Sequence, residues 1–478
     1  PNGTTDDMTD DKVDDTAEAS TSGAGEAPPP NVAPPRGEPP SEDSTRAFVR
    51  NTVVMSTGTA LSRLTGFLRL SAMAFALGIT ESRLPDAYNI ANITPNILYE
   101  LALGGILTSV VVPVVVERMQ THGRDAAWDV VRRLFTITLV VLSAIAVLGI
   151  VLAPWIIDLY TVGYPPVQRE AVHDLATFFL RFFMPQVVFY GIGAVAAGLL
   201  NSHRRFAAPM FAPIANNLIV IATFLVFYAM PGPAEGSHEL ATGAQQLVLA
   251  VGTTLGVVAM TVALWPSVRA TGFRFRWIGG VRDEAIVRIG RLATWVIVYV
   301  VANQLGYLIV LILAGEIRGG YSSYAAAFIL FQLPHAIFAV SILTALLPAM
   351  SSRWAADDLD GYRALLSQGI RATATVLIPA ALGYLVLARP IVRLLLEHGV
   401  TTPKSADLVA EVLFAFAIGL FAFSAFQFLL RASYAMQDTR TPALVNVAAL
   451  FLNVIVNLLF FLVFDLGIPG LALGHAVS

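Results

Sequence analysis

The sequence predicts an all-α polytopic membrane protein, built as two six-helix lobes related by a pseudo-two-fold axis along the membrane normal. Apolar runs of roughly 20 residues, the length needed to cross hydrocarbon, recur along most of the 478-residue chain. Charged residues make up only 13% of it against 56% hydrophobic, roughly half the charge density of soluble domains, and the mean hydropathy is +0.69. Short motifs also recur in the same order in the two halves.

Residues 1–44 are acidic and rich in Pro, Gly, Ser and Thr, with no apolar core, so they read as a disordered tail and not as a signal peptide. Eleven full spans follow, near 50–79, 86–117, 132–158, 173–201, 208–230, 245–267, 287–315, 321–350, 364–388, 407–432 and 442–465. A twelfth begins at Gly467 and stops at Ser478. At about 1.5 Å per residue it is too short to cross, so the last helix reads as truncated, with the true C-terminus further on. The lobes are then 45–267 and 287–478, joined by a basic loop over 268–286.

Alternate connections differ in charge. One set carries Arg118, Arg124, Arg132, Arg133, Arg204, Arg205, Arg269, Arg274, Arg276, Arg282, Arg353, Arg363 and Arg440. The other is sparser, with Arg83, Arg169, Arg318, Arg389, Arg393 and Lys404, and includes the acidic stretch 233–239. The rich set is expected in the cytoplasm, which places the N-terminal tail there too.

The end of span three, Ala153–Tyr160, echoes the end of span nine, Ala388–Leu395. Leu107–Pro113 of span two echoes Leu343–Pro348 of span eight, and loop 201–209 echoes loop 436–442. An even number of spans per half leaves both halves in the same orientation. That arrangement places a substrate site near the midplane between lobes that rock.

Several functions are excluded. A net charge of −3 gives no reason to expect nucleic-acid binding. With no cysteine there are no disulfides, thiol chemistry or Cys-metal sites. No Gly-rich loop ending in Lys-Ser/Thr appears, so the chain does not itself hydrolyse ATP, and no His/Glu metal constellation is present. No cofactor, metal or enzymatic chemistry is expected. Intramembrane acids are few, which disfavours a cation or drug antiporter.

The chemistry-bearing residues are cations in apolar surroundings. Span one carries Arg63 and Arg69 around Gly66. A mid-bilayer charge costs at least about 2.5–3.5 kcal/mol, so each must face protein, water or a ligand. Spacing puts Arg63, Gly66 and Arg69 on one broad face, Gly66 allowing a kink or a close approach. Guanidinium forks suit phosphate, which makes this a candidate site for an anionic substrate. An internal ion pair with Asp86, or snorkelling to an interface, is the structural alternative. Asp86 itself orients those arginines, joins a gate or caps span two. Asn92, Pro95, Asn96, Glu100, Gly104 and Gly105 suggest that span two is bent and lines a cavity. Arg181 of span four either lines the same cavity or snorkels. Asn216, Asn217, Asn303, Gln304, Asn453 and Asn457 read more readily as interhelical hydrogen bonds than as ligands.

The residues Ser62–Arg69, Asp86–Tyr88, Pro95-Asn96, Gly104-Gly105 and Pro113 resemble the start of the MurJ (MviN) family of lipid II flippases, within the multidrug/oligosaccharidyl-lipid/polysaccharide (MOP) exporter superfamily. Gln332–Pro334, Thr344–Pro348, Leu396–Gly399 and Asp438–Pro442 extend the resemblance to the whole of residues 46–478. It implies two lobes in a V around a cationic cavity, and transfer of undecaprenyl-pyrophosphate-linked peptidoglycan precursor, lipid II, to the periplasmic side. The implied partners are lipid II, membrane lipids and cell-wall synthesis proteins. Arg63, Arg69 and Asp86 match family positions linked to function. Tyr99 and Ile329 stand where relatives often have arginine, and Val310 where some have a sodium-binding carboxylate, so the first-lobe arginines would carry more of the pyrophosphate recognition. Two readings compete: a flippase for another polyprenyl-linked saccharide, and a membrane scaffold for cell-wall synthesis.

Overall fold

The computed structural model describes residues 42–101, 112–203, 205–233, 241–279, 287, 303–436, 438 and 440–478. It is all-helical across these residues, in chain order: α1 (Glu42–Leu77), α2 (Leu84–Leu101), α3 (Val112–Tyr160), α4 (Pro166–Phe183), α5 (Gln186–Ser202), α6 (Ala207–Ala229) and α7 (Gly243–Arg269). The second half holds α8 (Asn303–Gly315). It continues with α9 (Gly320–Pro334), α10 (Val340–Ala355), α11 (Leu359–Leu396), α12 (Pro403–Ile418), α13 (Leu420–Ala435), α14 (Arg440–Leu458) and α15 (Gly467–Val477). Residues 50–478 form one compact unit. The tail expected to be disordered lies outside the described residues up to 41, and α1 already begins at Glu42.

Eight described helical segments are long and apolar enough to cross a membrane, nine if the bent pair α12–α13 is one span. They fall where apolar runs were read in the sequence. Spans two and seven are met only as α2 and α8, because 102–111 and 288–302 lie outside the described residues. The outward faces are apolar: Val147, Val151 and Trp155 of α3 and Phe451 and Ile455 of α14 are all exposed, spaced four apart on one stripe. Such continuous apolar surface belongs against lipid. The α4–α5 span is the most enclosed, with 78% of its apolar window buried, against 17% for α11.

The two halves pack alike. In the first, α3 lies on α4 and α5, α2 on α4, and α4 on α7; in the second, α11 lies on α12 and α13, α9 on α12, and α12 on α15. The spans also break at matching places. Pro185, which lacks an N–H, separates α4 from α5, and Gly419 separates α12 from α13 with a bend of 52°. Between the halves, α2 packs on α9. The basic loop leaves α7 and lies on α3, where Phe273 stacks on Phe135 and Arg132 donates to the Arg274 carbonyl.

Candidate functional site

A cavity of about 860 Å³ lies between the halves, bordered by α1, α2, α5–α9 and α13–α15. Arg69 contributes its formal positive charge, and no Asp or Glu among the described residues lines it. Arg69 stands close enough to Tyr88 for electrostatic contact, and Tyr88 shares a hydrogen bond with Thr253 at 2.9 Å. Among the described residues no carboxylate pairs with Arg69 or Arg63.

The structure separates the two arginines of span one. Six residues turn a helix by 600°, which leaves their side chains about 120° apart around the axis. Arg69 and Gly66 border the cavity, whereas Arg63 is exposed outside its lining. Arg63 and Arg431 of α13 both act through space on His335, which bonds Ser424 at 2.9 Å. Gly66 makes no kink, since α1 runs through it; a Cβ there would meet Asn217 at 3.6 Å, an ordinary contact. Asn96 is exposed and borders the cavity. Pro95 is buried within α2, which continues past it to Leu101. Gly104 and Gly105 lie outside the described residues. Arg181 is exposed on α4 and does not reach the cavity lining.

Of the places open to Asp86, the structure gives it none beside Arg63 or Arg69 and none in the cavity lining; at 0% exposure it lies in a polar seal between the halves, where a gate residue would sit. Its carboxylate accepts from the Gly319 amide at 3.1 Å and from the Ser322 amide and hydroxyl at 3.2 and 2.7 Å. These groups form the N-terminus of α9, whose unpaired N–H groups and partial positive charge favour a carboxylate. Arg83, 5% exposed, pairs with Asp86 at 3.2 Å. The same guanidinium donates to the Gly315 and Ile317 carbonyls at 3.3 and 3.1 Å and to Gln168 at 2.7 Å, and it lies over the Tyr164 ring.

Five residues before Asp86, Glu81 does the same at α12. It accepts from the Thr402 amide and hydroxyl at 2.8 and 2.9 Å and from the Ser405 hydroxyl, besides the Ile79 amide of its own loop. Burial pushes the Glu81 carboxyl up, but these hydrogen bonds outweigh it and hold the group below its ordinary value. One short loop thus caps two helices of the other half. Val400 N–H and Thr401 hydroxyl donate to Phe75 and Ala74 at the end of α1, at 2.9 and 2.7 Å. Glycine permits the approach: a Cβ on Gly163 would sit 1.9 Å from the Ile312 carbonyl of α8.

Sequence reasoning missed Glu81, Thr402, Ser405 and Ser322, and counted Arg83 only as a loop charge. The signals were the Arg83–Asp86 spacing of three and the Thr402-Pro403 start of α12, an N-cap followed by proline. The asparagines divide. Asn217 bonds Ser62 and Thr65 of α1, as interhelical linkage should, and Asn457 bonds Asn453 within α14. Asn216, Asn303, Gln304 and Asn453 border the cavity.

Residues 43–478 match the family model described as lipid II flippase MurJ. A probable lipid II flippase MurJ of Rickettsia prowazekii (strain Madrid E) is 28% identical over 429 residues, 90% of this chain and 81% of that protein. The lipid II flippase MurJ of Burkholderia cenocepacia is also 28% identical, over 86% of this chain and 78% of its own. Among solved structures, a lipid II flippase MurJ superposes with a TM-score of 0.74 at 21% identity, covering 89% of this chain and 84% of that one. An inward-facing multidrug resistance MATE family transporter of the MOP superfamily gives a TM-score of 0.65 at 13% identity, over 90% and 94%. With all but its first residues matched by the family model, the chain belongs to the MurJ lipid II flippase family.

Proposed function

We propose that the chain transfers lipid II from the cytoplasmic to the periplasmic leaflet of the bacterial inner membrane by alternating access. The observation that carries this reading is a cavity holding an arginine that has no carboxylate partner among the described residues, next to a polar seal that joins the halves. Such a guanidinium favours an anionic occupant, and its fork geometry matches a pyrophosphate oxygen pair. The name of the family supplies lipid II as that occupant.

The seal lies at the end of the bundle that carries the sparsely charged connections, and the arginine-rich connections lie at the other. By the positive-inside rule the sealed end is periplasmic and the N-terminus cytoplasmic. Head group and pyrophosphate enter from the cytoplasmic side while the polyprenyl chain stays in lipid. The Glu81 and Asp86 contacts then break as the halves rock the other way. No covalent bond is made or broken, so the chain is a transporter and not an enzyme.

The test is complementation of a flippase-depleted strain. Arg69→Ala is expected to reach the membrane in normal amount and fail to support growth. Normal growth on Arg69→Ala would remove the cavity from the reading.

A further inference from the structure

The cavity carries far more carboxamide than charge. Carboxamides reach it from both halves, beginning with Asn89, Asn92 and Asn96, which follow one face of α2 at spacings of three and four. Amides that only tie helices together pair across them, and some here do: Asn89 donates to Ser322 at 3.1 Å and Gln186 to Thr254 at 3.0 Å. Four others do not. Asn96 of α2, Gln304 of α8, Gln332 of α9 and Gln427 of α13 border the same space from four helices without a hydrogen-bond partner among the described residues.

We infer that these four amides form a neutral recognition surface for the uncharged part of the passenger, a saccharide bearing hydroxyl and amide groups, separate from the phosphate-binding role of Arg69. This inference rests on the flippase reading and adds to it a division of labour. Each carboxamide offers two N–H donors and a carbonyl acceptor without charge. Hydroxyl, N-acetyl and peptide groups present the same mixture of donors and acceptors. A cationic drug would draw nothing specific from such a set, and a bare diphosphate would use only its donors. All four are accessible rather than buried, so water can satisfy them before a passenger enters. An occupant that displaces that water keeps its affinity only by replacing those hydrogen bonds; amides converging on one cavity from both halves therefore fit an occupant rich in donors and acceptors. Because the four come from α2 and from α8, α9 and α13, a head group engaged by all of them touches both halves at once.

The test compares ligands that share the pyrophosphate and differ in the head group. Binding of undecaprenyl diphosphate and of lipid II to the purified full chain is measured for wild type, Asn96→Leu/Gln332→Leu and Arg69→Gln. A neutral hydrogen bond is worth roughly three- to tenfold in affinity. The wild type is expected to bind lipid II at least about tenfold tighter than undecaprenyl diphosphate. The double amide variant is expected to lose most of that difference with undecaprenyl diphosphate binding unchanged, and Arg69→Gln to weaken both ligands alike. Gln304→Leu/Gln427→Leu repeats the amide test on different helices, with elution as a monodisperse peak confirming folding. Equal weakening of both ligands by the amide variants, or none, overturns the inference. A wild-type chain that binds neither lipid removes the flippase reading itself, and this inference with it.

Discussion

Removing the Asp86 carboxylate is expected to open the sealed end. In Asp86→Ala the closed form loses three hydrogen bonds to α9, from Gly319 and Ser322, and the buried Arg83 loses its counter-charge. Breaking one side of a buried ion pair costs about 3–5 kcal/mol, because the remaining charge stays desolvated. In the open form Arg83 regains water, so nearly all of that cost falls on closure. At 1.4 kcal/mol per tenfold, the closed-to-open ratio drops by between about a hundredfold and a few thousandfold. The chain has no cysteine, so a single Ile79→Cys gives a reporter without background. Ile79 is fully buried beside Gly319, and its backbone amide bonds Glu81. A membrane-impermeant maleimide is expected to label this cysteine slowly in the otherwise native chain and at least about a hundredfold faster with Asp86→Ala. Equal labelling rates would show that Asp86 does not hold the halves together.

Glu81 gives the same seal an acid dependence. Its carboxyl is held below the ordinary value when closed, so the charged form favours closure above the ordinary carboxylate range, and that contribution is lost as pH falls through the closed-state value. Labelling of the Ile79→Cys reporter, divided at each pH by the rate of a free thiol because only the thiolate reacts, is therefore expected to be flat at neutral pH and to rise in acid below the ordinary carboxylate range; Glu81→Gln should give a higher ratio at neutral pH and lack the acid rise. Gly163→Ala places a methyl against the Ile312 carbonyl, where backbone must move, and is expected to lower transport about tenfold or more at unchanged membrane abundance. Arg181→Ala, in contrast to Arg69→Ala, is expected to complement a depleted strain, because Arg181 is exposed away from the cavity.

The spans were legible because a run of apolar residues long enough for the bilayer has few other uses, and helices such as α6 and α7 fall on the predicted ranges. Arg69 was legible for the same reason in reverse, a charge that an apolar run must justify. Arg63 was grouped with it by spacing alone, although six residues carry a side chain a third of a turn away. The seal was not legible. Glu81 meets partners 321 and 324 residues away and Asp86 meets Ser322, 236 residues on, so nothing local distinguished them from ordinary loop and cap residues. Asparagines were read as linkage because a sequence does not tell which amides find partners. Asn217 does, and Asn96 stands open to the cavity.

Leaflet-resolved measurement of lipid II in proteoliposomes bears most directly on the transport reading. Vesicles made with the wild-type chain are expected to move labelled lipid II into the leaflet where an added impermeant reagent consumes it, while vesicles made with Arg69→Ala retain a protected half. Protection of the inner half with the wild-type chain, in vesicles where its orientation and folding are verified, would contradict transport of lipid II by this cavity.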